Sequence, residues 1–287
     1  MKYAFIREHA DTHALARLCE VLEVSRSGYH AWCIRPSCAR AEANRLLLIQ
    51  IRRVHLEHRQ IYGGVKTWRE LGRRGIACGK HRVARLRREH GIEAKRRTRQ
   101  RLTVEHHKMA PPAPDLVMRH FTSPAPNQLW VGDMTFIRTR EGWLYLAVLL
   151  DLFSRAVVGY AMDQRPGTEL HVNALKMALH GRKPGEGLIH HTDRGVQYRS
   201  AAYREILAQH GIRQSMNGSM RPQDNAVAES FFSNLKNELV HQCDFRTRAE
   251  AREAITDYVA RFYNQTRLHQ TLGYRTPAQF ERQWQSA

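Results

Sequence analysis

Residues 128–162 read QLWVGDMTFIRTREGWLYLAVLLDLFSRAVVGYAM and contain three apolar runs joined by short connections. The first run, residues 128–139, alternates apolar and polar positions, as a half-buried strand does. The second, residues 142–153, is apolar almost throughout, and the third, residues 154–162, is rich in valine. Three consecutive strands with connections this short predict an antiparallel meander.

The pattern after residue 162 alternates between helical and extended segments. A helix, a strand, a helix, a strand and a helix follow in order, at residues 167–180, 187–193, 200–211, 212–217 and 226–240. Asp224 and Asn225 immediately precede the last helix and are candidates for its N-cap. The order βββαβαβα is that of an α/β ribonuclease-H-like domain, so we expect a five-stranded mixed sheet in which strands one and four lie side by side.

Three acidic residues of this region stand out by their contexts. They are Asp133 in LWVGDMTFI, Asp193 in IHHTDRGVQY and Glu229 in DNAVAESFFSNLK. The element order places Asp133 on the first strand, Asp193 at the end of the fourth, and Glu229 on a facing helix. We therefore expect three acids that are distant in sequence to converge.

Converging carboxylates suit the cleavage or joining of a phosphodiester. Two divalent ions about 3.5–4 Å apart can activate a nucleophile, stabilise a leaving oxygen and offset phosphate charge. Mg²⁺ prefers carboxylate and water oxygens. We expect Asp133 to bridge two ions, with Asp193 and Glu229 completing one each. Taken singly, each acid also fits an ordinary strand edge, turn or solvated helix face; their combination favours the metal site.

Lys236 follows Glu229 by seven residues on the predicted helix. Seven residues turn a helix by about 700° and advance it by about 10.5 Å, so both side chains project from one face. A carboxylate on metal beside an ammonium on a DNA phosphate fits that arrangement.

The charge of the chain is strongly positive and unevenly placed. Its 287 residues carry a formal net charge of +19. Residues 1–110 hold 25 Lys and Arg against 10 Asp and Glu, whereas the remainder holds 21 against 17. Such a balance favours a polyanionic partner, most often nucleic acid, over the alternative that the charge serves solubility alone.

The basic half is predicted to be all-α and to bind DNA. Residues 12–33 and 61–92 each predict two helices around a break, the outline of a helix-turn-helix, and residues 39–58 predict a long amphipathic helix. In HRVARLRREH, Val83 and Leu86 are expected to face inward and Arg82, Arg85, Arg87 and Arg88 outward. The expected DNA contacts are Arg82, Arg85, Arg88, Lys95, Arg96 and Arg97. The alternative is a solvated charged face.

Residues 106–126 contain five prolines and break the helical pattern. Proline fixes φ and removes a backbone donor, so a linker is predicted there. The expected domains are therefore a helical region with two helix-turn-helix-like units at residues 1–105, and a catalytic core with a C-terminal helical extension at residues 127–287.

Several other features favour simpler interpretations. The five cysteines form no CxxC pair, which indicates reduced thiols. The longest apolar stretch is far shorter than a membrane-spanning helix, so no membrane association is expected. Asp151 is expected to pair with Arg155. The segment at residues 261–280, which mixes arginines with aromatic residues, fits DNA contact and a packed closing segment equally well.

With these motifs in view, the chain resembles the second-reading-frame transposases of bacterial insertion sequences, whose catalytic core is retroviral-integrase-like. SRSGYHAW and IYGGVKTWRELGRRGI match their N-terminal part. LWVGDMTFI, LLDLFSR, HTDRGVQY, DNAVAESFFSNLKNEL and YNQTRLHQTLGYRTPAQF match the core. The resemblance implies an Asp–Asp–Glu triad at Asp133, Asp193 and Glu229, with Lys236 as the associated basic residue.

The same resemblance implies Mg²⁺, or Mn²⁺ in vitro, and double-stranded DNA as the substrate, both element terminal repeats and target. Water would cut one strand at each element end, and the freed 3′-hydroxyl would attack another phosphodiester. It further implies a homo-oligomer on DNA, an upstream-frame helix-turn-helix protein as fusion or partner, and a bacterial, cytoplasmic, nucleoid-associated location. Two alternatives remain: a non-enzymatic DNA-binding regulator of transposition, and a nuclease that only hydrolyses.

Overall fold

The computed structural model describes residues 2–34, 38–95, 112–118, 120–218 and 226–286. At its centre is a five-stranded mixed sheet with the order β3-β2-β1-β4-β5. The strands are β1 (Leu129–Thr139), β2 (Gly142–Asp151), β3 (Val157–Asp163), β4 (Ile189–Thr192) and β5 (Arg213–Met216). The first three form the predicted antiparallel meander, and β4 and β5 continue in parallel beyond β1. The predicted fold class and the pairing of strands one and four are confirmed.

The described residues also form eleven α-helices. They are α1 (Lys2–His9), α2 (Leu15–Val21), α3 (Arg26–Ile34), α4 (Ala39–Glu57), α5 (Gly64–Arg73), α6 (Lys80–Glu89), α7 (Thr168–Arg182), α8 (Ala201–Gln209), α9 (Ala226–Glu238), α10 (Arg248–Asp257) and α11 (Pro277–Gln285). Ser25 begins α3, where its hydroxyl accepts from Gly28 N at 3.0 Å. Helix α1 has no counterpart among the elements predicted from the sequence. None of the helices in the described ranges has the length and apolar content that crossing a bilayer requires.

Each face of the sheet carries its own core. Leu144, Leu146 and Val148 of β2 point to one face, where α9 and α10 cover them. Ala147 and Leu149, at alternate positions, point to the other face, where α7 and α8 pack. The near-continuous apolar run of β2 follows from this burial on both faces.

Helix α7 lies so close to β3 that only glycine fits at position 159. A Cβ added to Gly159 would lie 2.7 Å from the Cβ of Ala178 and would also meet the carbonyl oxygen of Ala174. Backbone cannot retreat as the end of a flexible side chain can, so the contact fixes the separation of the helix from the sheet.

We predict that Gly159→Ala destabilises the protein by about 1–3 kcal/mol, because overpacking displaces backbone. Urea unfolding followed by circular dichroism measures the change. Gly181→Ala is the control: it lies on α7 with nothing within 4 Å of the added Cβ, so it should be neutral or stabilising. Equal effects of the two substitutions would contradict the close-approach explanation.

Helices α4, α5 and α6 pack against the C-terminal segment. Leu268 lies in the same apolar cluster as Leu47, Ile51 and Val83 of α4 and α6. The hydroxyl of Tyr62 accepts from Leu268 N at 2.9 Å. Arg59 forms a 2.5 Å ion pair with Asp257 of α10. The helix-turn-helix formed by α5 and α6 therefore shares a core with the segment around Leu268. The sequence pattern did not indicate this contact.

The outward position expected for Arg87 is wrong. Its side chain is 5% exposed and donates to Thr67 Oγ1 at 3.1 Å and to the carbonyl oxygen of Tyr62 at 2.9 Å. Arg87 follows Val83 by four residues, so it lies on the same inward face of α6. Burial is tolerated because two acceptors meet the guanidinium.

The expected pairing of Asp151 with Arg155 is also wrong. Asp151 is fully buried and accepts hydrogen bonds from Asn127 N, Phe153 N and Trp130 Nε1 at 2.7, 2.8 and 3.3 Å. The guanidinium of Arg155 donates instead to the carbonyl oxygen of Phe121 at 3.0 Å. Backbone donors at the strand ends satisfy the carboxylate locally.

The described part of the proline-rich segment forms neither helix nor strand. It nevertheless packs on the sheet: Val117 is buried beside Leu129 and Val131, and Leu116 N donates to Ser215 Oγ at 2.9 Å. Arg96 and Arg97, the earlier part of the linker, and the cap candidates Asp224 and Asn225 lie outside the described residues.

Arg267 and His269 of the segment at residues 261–280 are packed inside the protein. Arg267 is 6% exposed and pairs with Glu238 of α9 at 2.7 Å. His269 is equally buried, and burial lowers its pKa to about 3. Both side chains are therefore engaged inside the protein.

Candidate active site

The parallel pairing of β1 with β4 sets two of the acids side by side. Gly132 of β1 is in register with Thr192 of β4. The next residue along each strand is an aspartate, Asp133 and Asp193. Adjacent strands lie about 4.8 Å apart, so these two residues are neighbours at one edge of the sheet.

The floor beneath the aspartates is a buried group of aromatic and imidazole rings. A Cβ on Gly132 would lie 2.7 Å from His190 Cε1, so glycine is needed for the histidine to fill this space. His190 Nε2 is 2.8 Å from the hydroxyl of Tyr203. Burial lowers the pKa of His190 to about 3, so the ring is neutral. Burial and then the charges of Asp193 and Asp133 raise the pKa of Tyr198.

A turn holds the carboxylate of Asp193 in place. Gly195 N donates to Asp193 Oδ1 at 2.9 Å. A Cβ on Gly195 would lie 2.8 Å from that same oxygen, so a larger residue would displace the carboxylate or the turn. The neighbouring His191 approaches Ser215 Oγ at 2.8 Å through Nδ1. Both histidines of the HHTD stretch therefore have structural partners in the core.

Helix α9 brings the third acid. Ala228, Phe231, Phe232 and Leu235 are buried on its sheet-facing side. Glu229, in the first turn, is exposed and lines a shallow depression of about 330 Å³ together with Ser230, Ser233 and Asn234. Val227 of the same turn packs beside Leu129 and Val131 of β1, so the carboxylate projects from a helix end that contacts this strand.

Electrostatics connects the four predicted site residues. The pKa of Asp133 is raised to about 7, first by burial and next by the negative charge of Asp193. Glu229 raises it further, whereas the amide of Met134 and the charge of Lys236 lower it. The structure therefore places Asp193, Glu229 and Lys236 within electrostatic reach of Asp133.

Lys236 is half-buried, with Nζ 5.2 Å from the ring centre of Phe136. Burial lowers its pKa, and the opposite charge of Asp133 counteracts that shift. Lys236 therefore lies beside β1, the strand that carries Asp133.

The three carboxylates suit a divalent metal by the chemistry of their oxygen donors. Carboxylate oxygens are the hard ligands that Mg²⁺ takes, and the negative charges of Asp193 and Glu229 near the carboxylate of Asp133 call for a cation. Ligand-distance convergence is not complete: across the described ranges, no group of three or more His, Cys, Asp or Glu side chains is spaced to hold an ion. The aspartates adjoin through the sheet, while Glu229 is related to them by electrostatics.

Of the arginines expected to contact DNA, two are engaged with other side chains and one is exposed. Arg82 donates to Asn44 Oδ1 at 2.8 Å, and Arg85 pairs with Glu89 at 2.8 Å. Arg88 is exposed. The backbone of Lys95 donates to the carbonyl oxygen of Gln60 at 3.0 Å, which fixes the start of the basic tail.

Comparison with known proteins agrees with this architecture. The family model described as Integrase core domain matches residues 123–222, and a second of the same description matches residues 210–277. The HTH-like domain model matches residues 41–100. These models and the sheet define an integrase-type core preceded by a helix-turn-helix, and they indicate DNA as the partner.

Two relatives extend the match to nearly the whole chain. Transposase InsF for insertion sequence IS3A, from Escherichia coli (strain K12), is 38% identical over 284 residues, covering 98% of each chain. The Insertion element IS600 uncharacterized 31 kDa protein of Shigella sonnei is 40% identical over 267 residues, covering 93% of this chain and 98% of that one. The chain belongs to the IS3 family of transposases. Its function is DNA transposition.

Solved structures with a similar core include the HTLV-2 integrase catalytic core domain in complex with magnesium, at 20% identity and a TM-score of 0.43. That match covers 55% of this chain and 98% of the viral one. A simian T-cell lymphotropic virus intasome in complex with PP2A regulatory subunit B56 gamma matches at 18% identity and a TM-score of 0.47, over 75% of this chain and 70% of that one.

We predict that Asp193→Asn lowers the pKa of Asp133 below about 7, because it removes a neighbouring negative charge that raises that pKa. Carbon-13 NMR of aspartate-labelled protein in metal-free buffer would follow the titration. Asp163→Asn is the control, since Asp163 is exposed at the end of β3 and is no cause of the shift. An unchanged pKa in Asp193→Asn would show that the two acids do not converge in solution.

Proposed function

We propose that this transposase acts by metal-dependent phosphoryl transfer on a triad of Asp133, Asp193 and Glu229. The observation that carries the proposal is the pairing of Gly132 with Thr192, which makes Asp133 and Asp193 neighbours. The electrostatic reach of Glu229 to Asp133 supports the third member.

The chain's own groups would divide the work. Asp133 would face both of two Mg²⁺ or Mn²⁺ ions, and Asp193 and Glu229 would each hold one. Divalent ions supply Lewis acidity at the scissile phosphate and lower the pKa of the attacking oxygen. The Gly195 turn orients Asp193, and the buried floor of His190 and Tyr203 keeps β1 and β4 in register. Lys236, half-buried beside Phe136, would meet a DNA phosphate from the same side.

The substrate would be double-stranded DNA at the element's terminal repeats and at the target. Water would cut one strand, and the freed 3′-hydroxyl would attack a second phosphodiester. DNA would also contact the helix-turn-helix region through Arg82, Arg85 and Arg88 and through the tail at Lys95, Arg96 and Arg97. We propose residues 1–105 as the DNA-binding region, 106–126 as the linker and 127–287 as the core.

The assembly would be a homo-oligomer on DNA, fused to or paired with an upstream-frame helix-turn-helix protein. Transposition of chromosomal DNA would place it at the bacterial nucleoid. The net charge of +19 supports an encounter with DNA that is fast and sensitive to salt.

We predict that Glu229→Gln abolishes metal-dependent strand joining, reducing it by at least about 100-fold because a metal-binding carboxylate is lost. Purified protein, alone and fused to its upstream-frame product, would be incubated with labelled element-end DNA and Mg²⁺, and the products separated by gel. Glu205→Gln, an exposed acid on α8, is the control and should join strands normally.

The same assay separates the alternatives. DNA binding without cleavage by the fused wild-type protein would favour a regulator, and cleavage without joined products would favour a nuclease. Full activity of Glu229→Gln would remove Glu229 from the site.

A further inference from the structure

A cavity of about 850 Å³ lies where the helix-turn-helix meets the C-terminal helix α11, in the part of the chain that the structure describes. One wall is formed by α5 and the turn into α6, and the other by the loop before α11 and by α11 itself. Among its fourteen lining residues are four arginines and no aspartate or glutamate. The arginines are Arg69, Arg73, Arg275 and Arg282.

Aromatic rings hold two of these guanidinium groups in place. Arg69 lies between Trp68 and Tyr274, with Cζ 4.8 Å and 5.0 Å from the two ring centres. Arg275 lies 4.6 Å over the ring of Phe280 and donates to the carbonyl oxygen of Leu272 at 2.8 Å. A guanidinium that is already positioned loses less conformational entropy when it binds an anion.

The two acids that adjoin lining arginines in sequence, Glu70 and Glu281, are both ion-paired, and Glu70 has a lining arginine among its partners. Glu70 pairs with Arg73 and Arg74. Glu281 of α11 pairs with Arg182 at 2.7 Å and accepts from Ser154 at 2.6 Å. Within the described ranges, no ion pair neutralises the arginines at positions 69, 275 and 282. The cavity thus keeps the positive charges of three lining arginines, while Glu70 offsets that of Arg73.

We propose that this arginine cavity binds the sugar–phosphate backbone of DNA and clamps it between the helix-turn-helix and α11. Arginine forks match phosphate oxygens, and the half-buried rings of Trp68 and Tyr274 hold the Arg69 fork that would meet a phosphate. The cavity wall at Cys78 leads directly into the first turn of α6, where helix N-terminal amides favour phosphate. DNA bound along α6 therefore continues onto this surface.

The clamp links DNA binding to the arrangement of the chain. One wall belongs to residues 68–78 and the other to residues 273–286. A phosphate held by both would strengthen the contact that Leu268 and Tyr62 already make between these parts. The inference rests on the proposed function only in taking DNA as the polyanion.

The test compares two charge-matched double variants in the full-length protein. Arg69→Ala with Arg282→Ala removes two cavity charges. Arg246→Ala with Arg261→Ala removes two exposed charges outside the lining. Fluorescence anisotropy with a labelled duplex of arbitrary sequence gives affinity at several salt concentrations, and thermal unfolding shows that each variant is folded.

The cavity variant should bind about tenfold more weakly, with a log–log salt slope shallower by about two, while the control keeps the wild-type slope. Equal slopes for the two double variants would overturn the proposal.

A native thiol gives a second readout that needs no substitution. Cys78 lines the cavity, whereas Cys243 is exposed outside it. Saturating duplex should protect Cys78 from N-ethylmaleimide and leave Cys243 reactive, as measured by peptide mass spectrometry. Unchanged labelling of Cys78, or protection by polyglutamate but not by DNA, would overturn the proposal. Neither readout uses catalysis, so failure of strand joining would leave this result standing, and the reverse also holds.

Discussion

The parallel pairing of β1 with β4 is the constraint on which the site depends. Four residue pairs, ending at Gly132 and Thr192, fix the register. A slip by one residue would turn the side chains of β4 to the other face of the sheet and separate Asp193 from Asp133. Gly132 admits His190 between the strands, and the bond of His190 to Tyr203 ties β4 to α8. The proposed site therefore depends on the buried contact between His190 and Tyr203.

A second constraint joins the connection between α4 and α5 to the C-terminal part of the chain. Tyr62 and Leu268 share a hydrogen bond, Arg59 pairs with Asp257, and Arg267 pairs with Glu238 of the helix that carries Glu229. These contacts run from Arg59 and Tyr62, between α4 and α5, to helix α9. Removing one partner of the buried Arg267–Glu238 pair would leave an uncompensated charge, which typically costs about 3–5 kcal/mol. The position of Glu229 is thus supported by residues far from it in sequence.

Much of the core could be predicted because its signals are local. Strand alternation, the apolar run of β2 and the helical patterns after residue 162 gave the element order, and the order predicted the sheet. The burial of Arg87 could not be predicted from charge, because the acceptors that satisfy it, Thr67 and the Tyr62 carbonyl, come from another helix. The same limit applies to Asp151, whose partners are backbone amides brought together by folding.

The core shared by α4, α5 and α6 with the segment around Leu268 could not be predicted for a related reason. About 200 residues separate Tyr62 from Leu268. A periodic pattern of apolar residues indicates local structure and cannot predict a contact between residues so far apart in sequence. The arginine cavity arises from the same long-range packing, since Arg69 and Arg73 come from one wall and Arg275 and Arg282 from the other. Sequence motifs therefore predicted the candidate catalytic residues, whereas the grouping of arginines at the cavity depends on tertiary packing.

The central claim is that Asp133, Asp193 and Glu229 hold divalent ions beside a DNA phosphate. The most direct measurement is anomalous diffraction from crystals of the protein bound to element-end DNA in Mn²⁺. Two manganese peaks are expected, both against Asp133, one also touching Asp193 and the other Glu229. Manganese peaks elsewhere in the protein, with none at Asp133, would contradict the claim.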